Sequence, residues 1–214
     1  GHGCDKFTLA IKTDGSMWSW GANYKGNNGV GTESSLSSPT QIGALTTWAS
    51  CCAMQFSGAA IKTDGTLWTW GWGYKGRLGL GSTTDYSSPV QVGALTTWKS
   101  IGYSGRNSFI ATTTDGKLFA WGQNNLGQLG DGSTTDRSSP VQIGSLTNWG
   151  TVGKGTAAMA VKTDGTFWTW GDNADGDAGV GTTANFSSPV QVGALATWKN
   201  FQVDIGHHTH GILL

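Results

Sequence analysis

Three histidines, His207, His208 and His210, fall close together near the end of the chain, where two imidazoles on one strand face would suit zinc or nickel. By parity His208 and His210 share a face, and His2 holds a similar phase in the first quarter of the chain. No carboxylate or cysteine is spaced to complete a site, so we expect surface histidines and no bound metal. Gly71-Trp72-Gly73-Tyr74-Lys75-Gly76 spells G-x-G-x-x-G, but no helix start follows to supply donors to a phosphate. The place of Gly73 is taken elsewhere by Asn23, Asn124 and Asn173, which suggests a demand for left-handed backbone. Asp172-Asn173-Ala174-Asp175-Gly176-Asp177 resembles a calcium loop, yet Gly171 and Thr182 stand where carboxylates are needed. Asp14, Asp64, Asp115 and Asp164 each precede a glycine and read as turn residues, not as an acid–base pair. No nucleophile–base pair stands out, and we expect neither an enzyme nor a cofactor.

The elements that carry these residues are repeats. Thr-Asp-Gly recurs at Thr13, Thr63, Thr114 and Thr163, and Trp-Gly recurs at Trp20, Trp70, Trp121 and Trp170. The four prolines, Pro39, Pro89, Pro140 and Pro189, share one phase, and Trp48, Trp98, Trp149 and Trp198 share another. A period near fifty residues signals a propeller or an array. Asp-Gly between alternating runs predicts a hairpin, and Leu67-Trp68-Thr69-Trp70 carries bulk on both faces, as a strand packed between neighbouring blades would. A further strand is expected to start at each Pro, and another at each late Trp. The fold class is therefore all-β, a β-propeller of four-stranded blades over about 1–47, 48–97, 98–148 and 149–197, with the first strands of a further repeat over 198–214. Phe7–Ile11 and Gly211–Leu213 read as copies of one strand, so we expect a window from a longer array.

Charged residues make up 12% of the chain against a usual ~25%, while 35 of its 214 residues are glycine. Zero formal net charge and no basic run argue against a nucleic-acid partner. No apolar run approaches the ~18–20 residues that cross a bilayer, and we expect no membrane insertion. Cys4, Cys51 and Cys52 lack metal spacing. Adjacent Cys51 and Cys52 should point to opposite faces as free thiols, a bridge from Cys4 being the alternative.

Ala60-Ile61-Lys62-Thr63-Asp64-Gly65-Thr66-Leu67-Trp68-Thr69-Trp70-Gly71, then Gly76-Arg77-Leu78-Gly79, resembles the repeat of the regulator-of-chromosome-condensation family. Gly127-Gln128-Leu129-Gly130 shows its signature most fully, whereas Gly26-Asn27-Asn28-Gly29 and Gly176-Asp177-Ala178-Gly179 depart from it. The resemblance implies rings of about seven blades, of which this chain would supply part. Its flavour suggests bacterial and bacteriophage versions. Family functions range over nucleotide exchange on a small GTPase, β-lactamase inhibition and ultraviolet sensing, and fold does not choose among them. The recurrent Trp residues read as packing, since Phe119 replaces one of them.

Residues common to every copy are expected to build the fold, so binding is sought where copies differ. Trp72, Tyr74, Arg77, Tyr86, Arg137 and Phe186 are large aromatic or arginine residues at variable loop positions. We expect a non-enzymatic display scaffold, on a virion or cell surface and binding a protein or glycan, with assembly into a larger structure. The alternative is an intracellular partner-binding propeller that acts as an exchange factor or inhibitor.

Overall fold

The computed structural model describes residues 2–4, 7–105 and 107–198, and the histidine cluster at 207–210 lies outside them. The strands form four antiparallel sheets in chain order. Blade 1 holds β1 (His2–Cys4), β2 (Phe7–Ile11), β3 (Met17–Gly21) and β4 (Leu36–Gln41). Blade 2 holds β5 (Trp48–Met54), β6 (Ser57–Lys62), β7 (Leu67–Gly71) and β8 (Tyr86–Gln91). Blade 3 holds β9 (Trp98–Ser104), β10 (Ser108–Thr113), β11 (Leu118–Gly122) and β12 (Arg137–Gln142). Blade 4 holds β13 (Trp149–Val152), β15 (Ala158–Lys162), β16 (Phe167–Gly171) and β17 (Phe186–Gln191). The short β14 (Lys154–Gly155) leaves blade 4 and pairs in parallel with β9, which joins the third and fourth sheets. Gly102 makes that approach feasible, because a Cβ there would lie 2.0 Å from the Gly153 carbonyl oxygen.

The core lies between blades, as three layers. Leu9, Met17, Trp48 and Trp70 pack in the first, Ile61, Leu67, Trp98 and Trp121 in the second, and Leu118, Leu129, Trp149 and Trp170 in the third. Strand parity explains this, since Trp70 turns toward blade 1 while Leu67 turns toward blade 3. Cys51 and Cys52 are free and buried, and enter different layers as their adjacency requires. Burial raises both thiols, Cys52 to about 12, so neither is a reactive thiolate.

The Asp-Gly turns have a built-in brace. Asp14, Asp64 and Asp164 accept the backbone N–H and hydroxyl of Ser16, Thr66 and Thr166. Those hydroxyls in turn accept the indole N–H of Trp18, Trp68 and Trp168 at 2.8–2.9 Å. The hydroxyl hydrogen bonds hold the three carboxyls below the usual Asp range. In blade 3 Lys117 replaces the hydroxyl and Phe119 the indole, so donor and acceptor disappear together and Asp115 pairs with Lys117 at 2.7 Å.

Two expectations are corrected. The proline strands begin three residues before Pro, so Pro89 sits inside β8 and not at its start. It is tolerated because β8 is the edge strand of its sheet, where a missing donor costs no ladder bond. Nor is Gly73 left-handed, since its φ is −87°. Its counterparts Asn23, Asn124 and Asn173 serve as loop staples: their Nδ2 donates to Thr32 and Ser34, to Ser133 and Thr135, and to Thr182 and Ala184 carbonyls. In blade 2 a Cβ at position 73 would lie 2.2 Å from the Thr84 carbonyl oxygen, so backbone fills the space that the Asn side chain occupies elsewhere.

Candidate binding surface

That difference makes the β7–β8 loop unlike its equivalents. It carries a short 3-10 turn at Tyr74–Gly76, with Lys75 at φ 60°, the one non-glycine residue with positive φ among those described. Lys75 is held by Asp136 of blade 3 at 3.0 Å, and this hydrogen bond raises its pKa. The turn projects Trp72 and Tyr74 outward as a stacked pair, with centroids 4.8 Å apart at 17°. Phe56, from the β5–β6 turn, meets Trp72 edge-on at 5.5 Å. Trp72 is half-buried and Tyr74 is 41% exposed.

Arg77, expected at the surface, is fully buried beneath this pair. Its guanidinium lies 4.5 Å from the Trp72 ring centroid, a cation–π distance. Its Nε donates to the Tyr74 carbonyl at 3.2 Å, and Nη2 donates to Asn107 Oδ1 in the β9–β10 turn. Asn107 Nδ2 donates onward to Gln123 Oε1, and Gln123 Nε2 to Asn125 at 2.7 Å. A polar chain therefore runs from blade 2 to the loop of blade 3 along one end of the strands. Burial pushes the guanidinium down to about 9, which leaves it cationic at neutral pH. Arginine burial is feasible because the aliphatic stem packs while the planar head finds acceptors and a ring face.

Tyr86, Arg137 and Phe186 open equivalent outer strands on three separate blades, paired with Gly71, Gly122 and Gly171. They are not brought together. Tyr86 and Phe186 are half-buried, and Phe186 packs on the third core layer. Arg137 is paired with Asp131 at 2.8 Å. Burial raises the Asp131 carboxyl, but hydrogen bonds from Ser133 and Arg137 outweigh it and leave the carboxyl below its usual range. The structure thus unites Trp72, Tyr74 and Arg77, and adds Phe56 and Asn107, which single-copy reading of loop positions does not reveal.

A second feature repeats in every copy. Leu45, Leu95, Leu146 and Leu195 occupy one phase of every copy and are 45–58% exposed. They follow the outer strands at the end of the sheets opposite the Trp72 loop. Near them, clefts between blades 1 and 2 and between blades 3 and 4, of about 290 and 440 Å3, are floored by Trp48, Trp68 and Lys62 and by Trp149, Trp168 and Lys162. Lys62 and Lys162 lie 3.8 and 3.7 Å from the Trp68 and Trp168 ring centroids. Among the described residues no group of three His, Cys, Asp or Glu side chains comes together as a metal site would need.

The regulator of chromosome condensation (RCC1) repeat matches residues 64–110 and 115–154, and a second form of it matches 98–128. Mouse protein RCC2 is 31% identical over 141 residues, covering 65% of this chain and 18% of that protein. Human WBSCR16 superposes with a TM-score of 0.77 at 21% identity, over 88% of this chain and 51% of that one. Prp20p of Saccharomyces cerevisiae gives 0.78 at 18% identity, over 90% and 49%. The chain spans about a fifth of the curated relative and about half of the solved propellers. These relatives are eukaryotic, and they give no support to the bacterial or bacteriophage character that the sequence suggested. Residues 64–154 thus match the RCC1 repeat, and the four sheets have the fold of part of an RCC1-type propeller.

Proposed function

We propose that this is a non-enzymatic propeller that binds another protein through the loop face of blades 2 and 3. The observation that carries this reading is the Trp72–Tyr74 stack, partly exposed and fixed from below by the buried Arg77. Rigid aromatic side chains lose little entropy on binding, and a pre-set stack resembles the anchors that dominate protein interfaces. Prp20p, which shares the fold, binds Gsp1p and histones, which supports a protein as the ligand class. An exchange-factor or inhibitor role is one form of this reading. Display on a virion or cell surface with a glycan ligand is the second form, favoured by the 12% charge content and by the flat ring faces that Trp72 and Tyr74 offer to a sugar.

The test is capture of partners on the immobilised chain, compared with the double variant Trp72→Ala, Tyr74→Ala. The expected result is a discrete protein partner whose affinity falls at least about thirtyfold, the scale of one hot-spot truncation above 2 kcal/mol. A partner retained at full affinity by the double variant sinks the assignment to this face. Glycan binding without protein capture would favour the display reading.

A further inference from the structure

In blades 2 and 4 the second strand returns a lysine to the Trp that opens the first. Lys62 pairs with Trp48 across β6 and β5, and Lys162 pairs with Trp149 across β15 and β13. The third strand adds another indole, Trp68 or Trp168, set edge-on to the first at 6.3 and 6.0 Å. Each ammonium is cupped between its two rings. Lys62 Nζ lies 5.1 and 3.8 Å from the Trp48 and Trp68 centroids, and Lys162 Nζ lies 4.8 and 3.7 Å from those of Trp149 and Trp168. Ring faces attract a cation, yet an ammonium also carries three hydrogen-bond donors. Among the described residues neither Nζ has a hydrogen bond or an ion pair, although Lys162 is only 7% exposed. A buried charge is costly until it meets a partner.

Both lysines line the clefts between blades 1 and 2 and between blades 3 and 4, beside the exposed Leu45 and Leu146. Trp48 and Trp149 line them too, and the buried Nε1 of each has no hydrogen-bond partner. The carboxylate in the second cleft is already engaged, since Asp131 is held by Arg137 at 2.8 Å. Asp164 acts on Lys162 from the adjoining turn but does not cancel the lowering of its pKa by burial. Blade 3 lacks the arrangement: Thr113 takes the lysine's register opposite Trp98, and Phe119 replaces the second indole. The cleft volumes, about 290 and 440 Å3, fall at the lower end of those that hold a whole small molecule. We propose that each of these two clefts binds a small carboxylic acid with an apolar body, the carboxylate on the lysine ammonium and the body against the Trp and Leu side chains. The site lies at the end of the sheets opposite the Trp72 loop and does not depend on protein binding there.

Calorimetric titration of the 214-residue chain with phenylpropionate tests this. The expected result is two bound equivalents per chain, with the neutral isostere phenylpropionamide at least about tenfold weaker. Lys62→Thr and Lys162→Thr should each remove one equivalent, and the double variant both. These variants keep the fold, because Thr113 already stands at this position opposite Trp98, and circular dichroism checks that they do. The comparison of acid with amide on the unaltered chain needs no substitution at all. Equal affinity for acid and amide overturns the proposal, as does full binding by the double variant or no binding at millimolar acid. A short peptide with Glu beside Phe that binds where the free acid does not overturns it as well, since the ligand would then be a protein segment.

Discussion

Trp70→Ala is expected to lower the unfolding free energy by about 3–5 kcal/mol, the usual cost of emptying a buried Trp site. The side chain is fully buried between blades 1 and 2, and its indole N–H donates to the Asn27 carbonyl at 2.8 Å. Truncation opens a cavity and strands that carbonyl, and the Gly29 seat below it has no side chain to move in. Two companions separate these contributions. Trp70→Phe keeps much of the packing but leaves Asn27 without its donor, a loss of about 1–3 kcal/mol. Trp20→Ala removes the equivalent residue of blade 1, which is half-buried, and should cost clearly less than Trp70→Ala. Urea denaturation followed by circular dichroism measures all three. Because the main contacts between blades are those of neighbours, Trp70→Ala should also separate the melting of blade 1 from that of blades 2 to 4. Equal losses for Trp20 and Trp70 would contradict the junction account.

Arg77→Ala should act on both stability and recognition. The substitution leaves the Tyr74 carbonyl and Asn107 Oδ1 without the guanidinium donor and removes the support under Trp72. A loss of about 2–4 kcal/mol follows mainly from packing lost at a fully buried site, with Asn107 Oδ1 also losing its donor. Arg77→Gln should be milder, since blade 3 places Gln128 at this position and builds its loop around it, with Oε1 accepting the Leu126 N–H at 2.8 Å. Thermal melts give the stability effect, and partner affinity measured on folded Arg77→Gln gives the effect on recognition. We expect weaker binding from a stack that has lost its cation–π support. Unchanged melting of Arg77→Ala would show that the buried guanidinium is not what holds the loop.

Much of the architecture was legible because repetition exposes it. Four copies in phase gave the blades, alternation gave the two-faced Trp strands, and the adjacency of Cys51 and Cys52 placed them in different layers. The remainder depended on contacts between distant segments. Asn23 and Gly73 look interchangeable as left-handed residues, yet one staples a loop by its amide and the other makes room for backbone. The departure of β14 to pair with β9 reflects the glycines at 102 and 153, whose close approach no periodicity encodes. Arg77 occupies a variable loop position, and only the fold shows that Trp72 and Asn107 close over it. The leucines at 45, 95, 146 and 195 are constant among the copies, as fold-building residues are, yet they stand exposed, which repetition alone does not distinguish.

The most direct test of the binding face is site-specific photo-crosslinking from two positions at opposite ends of the strands. A photoreactive phenylalanine replaces Tyr74 in one chain and Leu45 in another, both exposed in the structure. The binding-face account predicts a discrete protein adduct from position 74 and none of that mass from position 45. The same adduct from position 45 alone would contradict it and move the site to the leucine end of the blades.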